Sequence, residues 1–170
     1  MKTLKEFLLE ANSVSNMQPR NNKELKELVE KLVRKRGNKA DLNDIDTSLI
    51  DDMGGLFKDS KFNGDISKWD VSKVKNMSFM FGHSEFNSDI SNWDVSNVED
   101  MSYMFWEDSK FNGDISKWDV SNVKSMEHMF GHSPFNKDLH IWDVSNVEDM
   151  SYMFYDSPLE KNPPKWYKNN

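Results

Sequence analysis

The chain has 170 residues, of which 36% are hydrophobic and 30% charged, with a net charge of -7 and no cysteine. That length suits one domain with its own core, and the missing cysteine excludes disulfides and thiolate metal sites and fits a reducing compartment. Mean hydropathy is low at -0.81, yet the apolar residues are large ones, with eleven Phe, eleven Met and six Trp; the methionines read as filler for irregular core gaps.

Residues 1–21 read as a short helix and a linker. Leu4, Phe7, Leu8 and Ala11 share one helical face, but Glu6 and Glu10 interrupt it, so the stretch lacks the apolar core of a signal peptide. No run elsewhere approaches a membrane span, and the expectation is a cytoplasmic protein without membrane contact. Residues 22–37 predict a capping helix: Leu25, Leu28, Val29, Leu32 and Val33 form one stripe, Gly37 is the stop, and Arg34, Lys35 and Arg36 sit where the helix dipole favours cations.

From residue 38 to 170 the chain is repetitive. The block FNGDISKWDVSKVKNMSFMF at 62–81 returns at 86–105, 111–130 and 135–154, and Trp69, Trp93, Trp118 and Trp142 lie 24, 25 and 24 residues apart. A fixed period of this size predicts units that bury their apolar faces only against neighbours. Within one unit Trp69 and Val71 are spaced as on a strand, whereas Val74, Met77, Met80 and Phe81 step as on a helix. Ser72, Ser96, Ser121 and Ser145 read as helix N-caps, completed to capping boxes by Glu99 and Glu148, and Asn63-Gly64 and Asn112-Gly113 read as turns. Counting back one period makes 40–57 a divergent first turn with Ile45 in place of tryptophan, and counting forward makes 159–170 an edge strand guarded by Pro163, Pro164, Lys165 and Lys168. The expected fold is an α/β solenoid of about six turns of short parallel strand plus short helix, 24–25 residues per turn, with an N-terminal helical cap.

The recurring DIS-x-WDVSNV followed by MSYMF, from Asp65 to Phe154, resembles the BspA-like leucine-rich repeat of bacterial surface proteins and of related lipoprotein-like repeats. The resemblance implies a leucine-rich-repeat-like solenoid used for binding, with no catalytic residues to carry over.

Two sets of residues are candidates for function. Between the paired methionines of each repeat stand Phe79, Tyr103, His128 and Tyr152, and after the terminal phenylalanine come Trp106 and Tyr155. Aromatics of this kind are enriched in binding hot spots, and the competing reading packs them on neighbouring repeats. Asp46, Asp70, Asp94, Asp119 and Asp143 form a regular column, read either as a cation or partner ladder or as side chains bonded to backbone amides of adjacent turns. Residues 1–37 hold nine Lys/Arg against five Asp/Glu, and the remainder 13 against 24; an acidic body of this kind repels nucleic acid and membrane surfaces and suits a basic protein partner. His83 and His132 recur in a GHS loop without other ligands at metal spacing, and no phosphate loop, nucleophile elbow or HExxH helix is present. The reading is a monomeric, non-enzymatic module without cofactor or metal that binds an unidentified protein partner. An acidic decoy of a nucleic-acid-binding protein, or a purely structural repeat protein, is the alternative.

Overall fold

In a computed structural model, residues 17–107 and 109–168 are described; the helix expected near the N-terminus lies outside them. Helix α1 spans Asn22–Arg36. The Asn21 side chain accepts the Glu24 amide at its start, and Gly37, at φ 89°, closes it by donating to the Val33 carbonyl. Leu25, Val29 and Leu32 are buried, and the Asn22 side-chain amide donates to the Gly54 carbonyl at 3.0 Å, so α1 covers the first of five stacked layers.

The layers comprise residues 38–61, 62–85, 86–110, 111–134 and 135–157. Each bends through three turns of one design, in which a polar residue is followed by an apolar one, usually a serine, any residue, and a second apolar one. In the second layer these are Asp65 to Trp69, Asp70 to Val74 and Asn76 to Met80. The first residue accepts the amide two residues on, Ser67 at 2.9 Å, Ser72 at 3.0 Å and Ser78 at 2.9 Å. The second residue's carbonyl accepts the amide three residues further along, as Ile66 does from Trp69, Val71 from Val74 and Met77 from Met80. Asp41, Asp46 and Asp52 build the first layer in the same way.

This geometry corrects the expected fold. Among the described residues there is one α-helix, a short 3-10 helix at Pro158–Glu160, and no sheet; parallel pairing is confined to five isolated bridges, such as Asn76 with Asp100 and Asp100 with Ser125. The α/β solenoid of parallel strands and repeat helices is therefore not what forms. Two physical reasons account for it. Phe79 and His83 lie at φ 55° and 53°, with Tyr103, His128, His132 and Tyr152 alike, and left-handed residues at this interval break a right-handed helix. The carbonyls of Met77 and Phe79 turn into their own layer, towards the amides of Met80 and Gly82, which directs them away from the neighbouring layer and leaves the pairing short of a continuous ladder. The serines are not helix caps either: each presents its amide to the preceding aspartate. The expected edge strand at 159–170 is replaced by Pro158–Glu160 and an irregular run, in which Trp166 stacks on Trp142 at 6.5 Å.

Layers bond to one another with regularity. Met77, Phe79, Phe81 and His83 donate to the carbonyls of Asp100, Ser102, Met104 and Trp106. Each buried tryptophan reaches back one layer: Trp69 Nε1 donates to Leu42, Trp93 to Ile66, Trp118 to Ile90 and Trp142 to Ile115. Inside, Phe57, Phe81, Phe105, Phe130 and Phe154 stack at 5.6–5.9 Å, and Phe62, Phe86, Phe111 and Phe135 form a second column beside them. Gly64 permits the close approach of layers, since a Cβ there would run into the Ala40 carbonyl oxygen.

Phe105 touches Phe81, Phe111 and Phe130. Replacing it with alanine is expected to cost about 3–5 kcal/mol in urea unfolding, whereas Lys110→Ala, at an exposed position, should change stability by less than about 0.5 kcal/mol.

Candidate binding surface

The fourth residue of the third turn of each layer is left-handed, and in four layers it is a residue that sequence reading singled out. Gly55 occupies this place in the first layer, followed by Phe79, Tyr103, His128 and Tyr152. A side chain on such a residue costs roughly 1–2 kcal/mol in backbone strain, and here it points away from the core into an outer stack. Phe79 lies on Tyr103 at 4.5 Å and 3°, Tyr103 on His128 at 5.0 Å, and His128 on Tyr152 at 5.0 Å. Trp106 stands edge-on to Phe79 and Tyr103, and Tyr155 edge-on to Tyr152. The structure thus joins all six aromatic and histidine candidates into one continuous strip.

The strip is half-buried at its start and open at its end: Tyr152 is 57% exposed and Tyr155 46%. Gly131 makes room within it, because a Cβ would lie 3.0 Å from His128 Nδ1 and 3.4 Å from Trp106 Cδ1. That His128 nitrogen is buried without a hydrogen-bond partner. The Tyr103 hydroxyl donates to Glu127 Oε1 at 2.7 Å; burial, and then the Glu127 bond and charge, push its pKa up to about 12. Lys58 Nζ sits 4.9 Å above the Phe79 ring, a cation–π contact. Along the border His83 Nδ1 meets Asp59 and His132 Nδ1 meets Asp156, both at 3.0 Å. Sequence reading missed Lys58 and Glu127, although one-period counting places Lys58 in the column of Trp106 and Tyr155 and Glu127 beside His128.

The aspartate column lies elsewhere, at the second turn of each layer. Asp46, Asp70, Asp94, Asp119 and Asp143 accept the amides of Ser48, Ser72, Ser96, Ser121 and Ser145 at 3.0–3.1 Å. The hydroxyl and then the amide of that serine hold Asp46, Asp70, Asp119 and Asp143 below the ordinary carboxylate value. Asp65 and Asp89 are lowered similarly at the first turn, with the amide the larger cause. These oxygens are engaged in turn closure, and among the described residues no three or more His, Asp or Glu side chains converge as a metal site. No helix among them is long and apolar enough to cross a membrane.

Fold and surface together define a class: a stack of turn-built repeats, closed at one end by a helix, carrying an external aromatic strip. The sequence model of the family described as Mycoplasma protein of unknown function, DUF285, matches residues 23–134 and again 83–170, and the chain belongs to that family. The resemblance to BspA-like leucine-rich repeats is corrected by this match, which is to a different family, and by the missing sheet. No curated protein and no solved structure matches the chain.

Two outcomes follow from the geometry. At Tyr103, φ 58°, both Tyr103→Ala and Tyr103→Gly lose the ring stack, but glycine also relieves the backbone; Tyr103→Gly should therefore melt above Tyr103→Ala, by about 1 kcal/mol in unfolding free energy. Because the folded pKa values of Asp46, Asp70, Asp89 and Asp119 are depressed, their contribution is present above the unfolded value and lost as pH falls through the folded one. A variant with these four changed to asparagine retains the turn acceptor, as Asn76 does. Its stability should fall less than that of the parent chain between pH 4 and pH 2, near and below the ordinary aspartate value of 3.8, measured by urea titration at each pH.

Proposed function

We propose that this chain is a non-enzymatic module that binds another protein through the strip formed by Phe79, Tyr103, Trp106, His128, Tyr152 and Tyr155. The observation that supports the reading is the continuity of that strip across four layers, with its least covered rings, Tyr152 and Tyr155, at one end. Rigid aromatic rings give contact area at small entropic cost, and such clusters dominate interface energetics. These rings are held by stacking and by interlayer bonds at Phe79, Tyr103 and His128, so little order remains to be acquired on binding.

The surroundings favour a basic partner. Asp59, Glu127 and Asp156 stand along the strip, and Lys58 lies over the Phe79 ring. A cytoplasmic setting belongs to the same proposal and is supported by the cysteine-free composition.

The test is affinity capture from native lysate with the parent chain and with a variant in which Tyr103, Trp106, Tyr152 and Tyr155 are alanine, after circular dichroism shows that both fold alike. A protein retained by the first and lost by the second is the expected result. Its retention should weaken only modestly as salt rises; steep salt dependence would instead indicate an acidic decoy that imitates a nucleic-acid backbone.

A further inference from the structure

The aromatic strip has two ends, and only one of them is covered. In the first layer Gly55 stands where later layers carry a ring, which leaves the outer face of Phe79 bare. Lys58 of that layer fills the place, with its Nζ 4.9 Å from the centre of the Phe79 ring. At the other end Tyr152 lies with one face on His128, at 5.0 Å and 15°, and meets Tyr155 edge-on at 5.9 Å. No further ring or cation approaches Tyr152 among the described residues, and both tyrosines remain exposed.

The chain's own C-terminal residues are engaged elsewhere. Trp166 stacks on Trp142, and Tyr167 stands edge-on to Phe154. Lys168 lines a groove with Glu148 and Ser151, to which neither Tyr152 nor Tyr155 belongs. The second face of Tyr152 is therefore the open terminus of the stack.

The contact that covers one terminus indicates what fits the other. An aromatic face carries partial negative charge and attracts a cation placed over it, and at Phe79 the chain meets that attraction with its own lysine. The column of Lys58 holds Tyr155 in the fifth layer, and carboxylates follow it. Asp156 is exposed; its Oδ2 lies 3.0 Å from His132 Nδ1 of the preceding layer, and its amide donates to Glu160 Oε2 at 3.1 Å. A guanidinium suits such a place better than an ammonium. It is flat, so it continues the stack, and its remaining N–H groups point sideways, where a neighbouring carboxylate can accept them.

We infer, on the reading that the strip is the partner surface, that the open face of Tyr152 receives an arginine side chain of a basic partner protein, its guanidinium stacked on the ring and its edge turned to Asp156. The column then runs from Lys58 through Phe79, Tyr103, His128 and Tyr152 to the guanidinium, with a cation on each terminal face.

The probes are three blocked pentapeptides in which glycines flank one arginine, one lysine or one citrulline, the last keeping the shape of arginine without its charge. They are titrated to millimolar concentration into the full chain, and ring resonances are followed by NMR. The arginine peptide should shift the Tyr152 and Tyr155 rings saturably, and the citrulline peptide should bind about fivefold more weakly, the size of a cation–ring contact at an exposed site. The lysine peptide should fall between them. Tyr152→Phe should retain arginine binding and Tyr152→Leu should lose it, with circular dichroism unchanged in both; Asp156→Asn should weaken it about twofold. Lys58→Ala, at an exposed position, should bare Phe79 and add a second arginine-dependent shift there. The inference is overturned if the arginine peptide shifts neither ring, if citrulline binds as well as arginine, or if Tyr152→Leu still binds; equal binding of lysine would overturn the choice of a guanidinium. A lysate partner lost by the four-alanine variant, without any preference for arginine over citrulline, would leave the strip as a partner surface and remove only this contact. An arginine preference that depends on Tyr152, with no partner captured, would leave the contact and remove the broader reading.

Discussion

The structure depends on how each layer divides its backbone hydrogen bonds between itself and its neighbours. An aspartate or asparagine oxygen closes most of the turns on the amide two residues ahead, and a carbonyl closes them again on the amide three ahead. Those bonds turn carbonyls into the layer that a β-ladder would direct at its neighbour, so stacking proceeds through the amides that remain. Tryptophan completes the accounting: the Ile66 carbonyl takes both the Trp69 amide within its layer and the Trp93 indole from the next. A buried polar backbone is tolerated here because its donors and acceptors are assigned by this division.

The core was legible in the sequence, and the backbone path was not. Ile66, Trp69, Val71, Val74, Met77, Met80 and Phe81, read as inward-facing, are all buried, because apolar burial follows from repeat periodicity however the chain turns. The i, i+3 steps of Val74, Met77 and Met80 have two solutions, one helical turn or two successive Asx-type turns with apolar second and fifth residues. The discriminating signal was the polar residue two places before each serine, Asp65, Asp70 and Asn76, which is local turn chemistry. Reading the serine as the capping group reversed donor and acceptor. The left-handed residues were harder to see, since aromatic side chains seldom accept positive φ, and only Gly55 in the first layer shows in its identity what the position demands.

That same conformation makes the aromatic strip possible. A right-handed residue between Met77 and Met80 would continue a helical turn and send its ring along the helix flank; the left-handed one projects it outward, in register with the ring above and below. Strain is offset by stacking and by the interlayer amide bonds at Phe79, Tyr103 and His128. The candidate site was thus legible as a list of residues, while its continuity was not, because continuity depends on φ rather than on residue type. Functional placement and backbone strain coincide at these positions, as they commonly do.

The stack is also polar, and its two ends are chemically unlike. At the first layer the Gly54 carbonyl faces outward and is met by the Asn22 side-chain amide of α1. At the fifth layer the third turn presents amides instead. Acceptors at one end and donors at the other follow from stacking identical turns in a single direction, just as a helix leaves amides at one terminus and carbonyls at the other. The two ends are therefore closed by different means: the Asn22 side chain of α1 at the first layer, and at the last Trp166 and Tyr167, which pack on Trp142 and Phe154. The alternation in sign along Asp51, Lys75, Glu99, Lys124 and Glu148 adds a second constraint of the same form, since a layer of one charge is complementary to the other kind of layer and repels its own. Directional backbone bonding and alternating charge therefore both favour the same order of layers within the stack, although they arise from unrelated parts of the repeat.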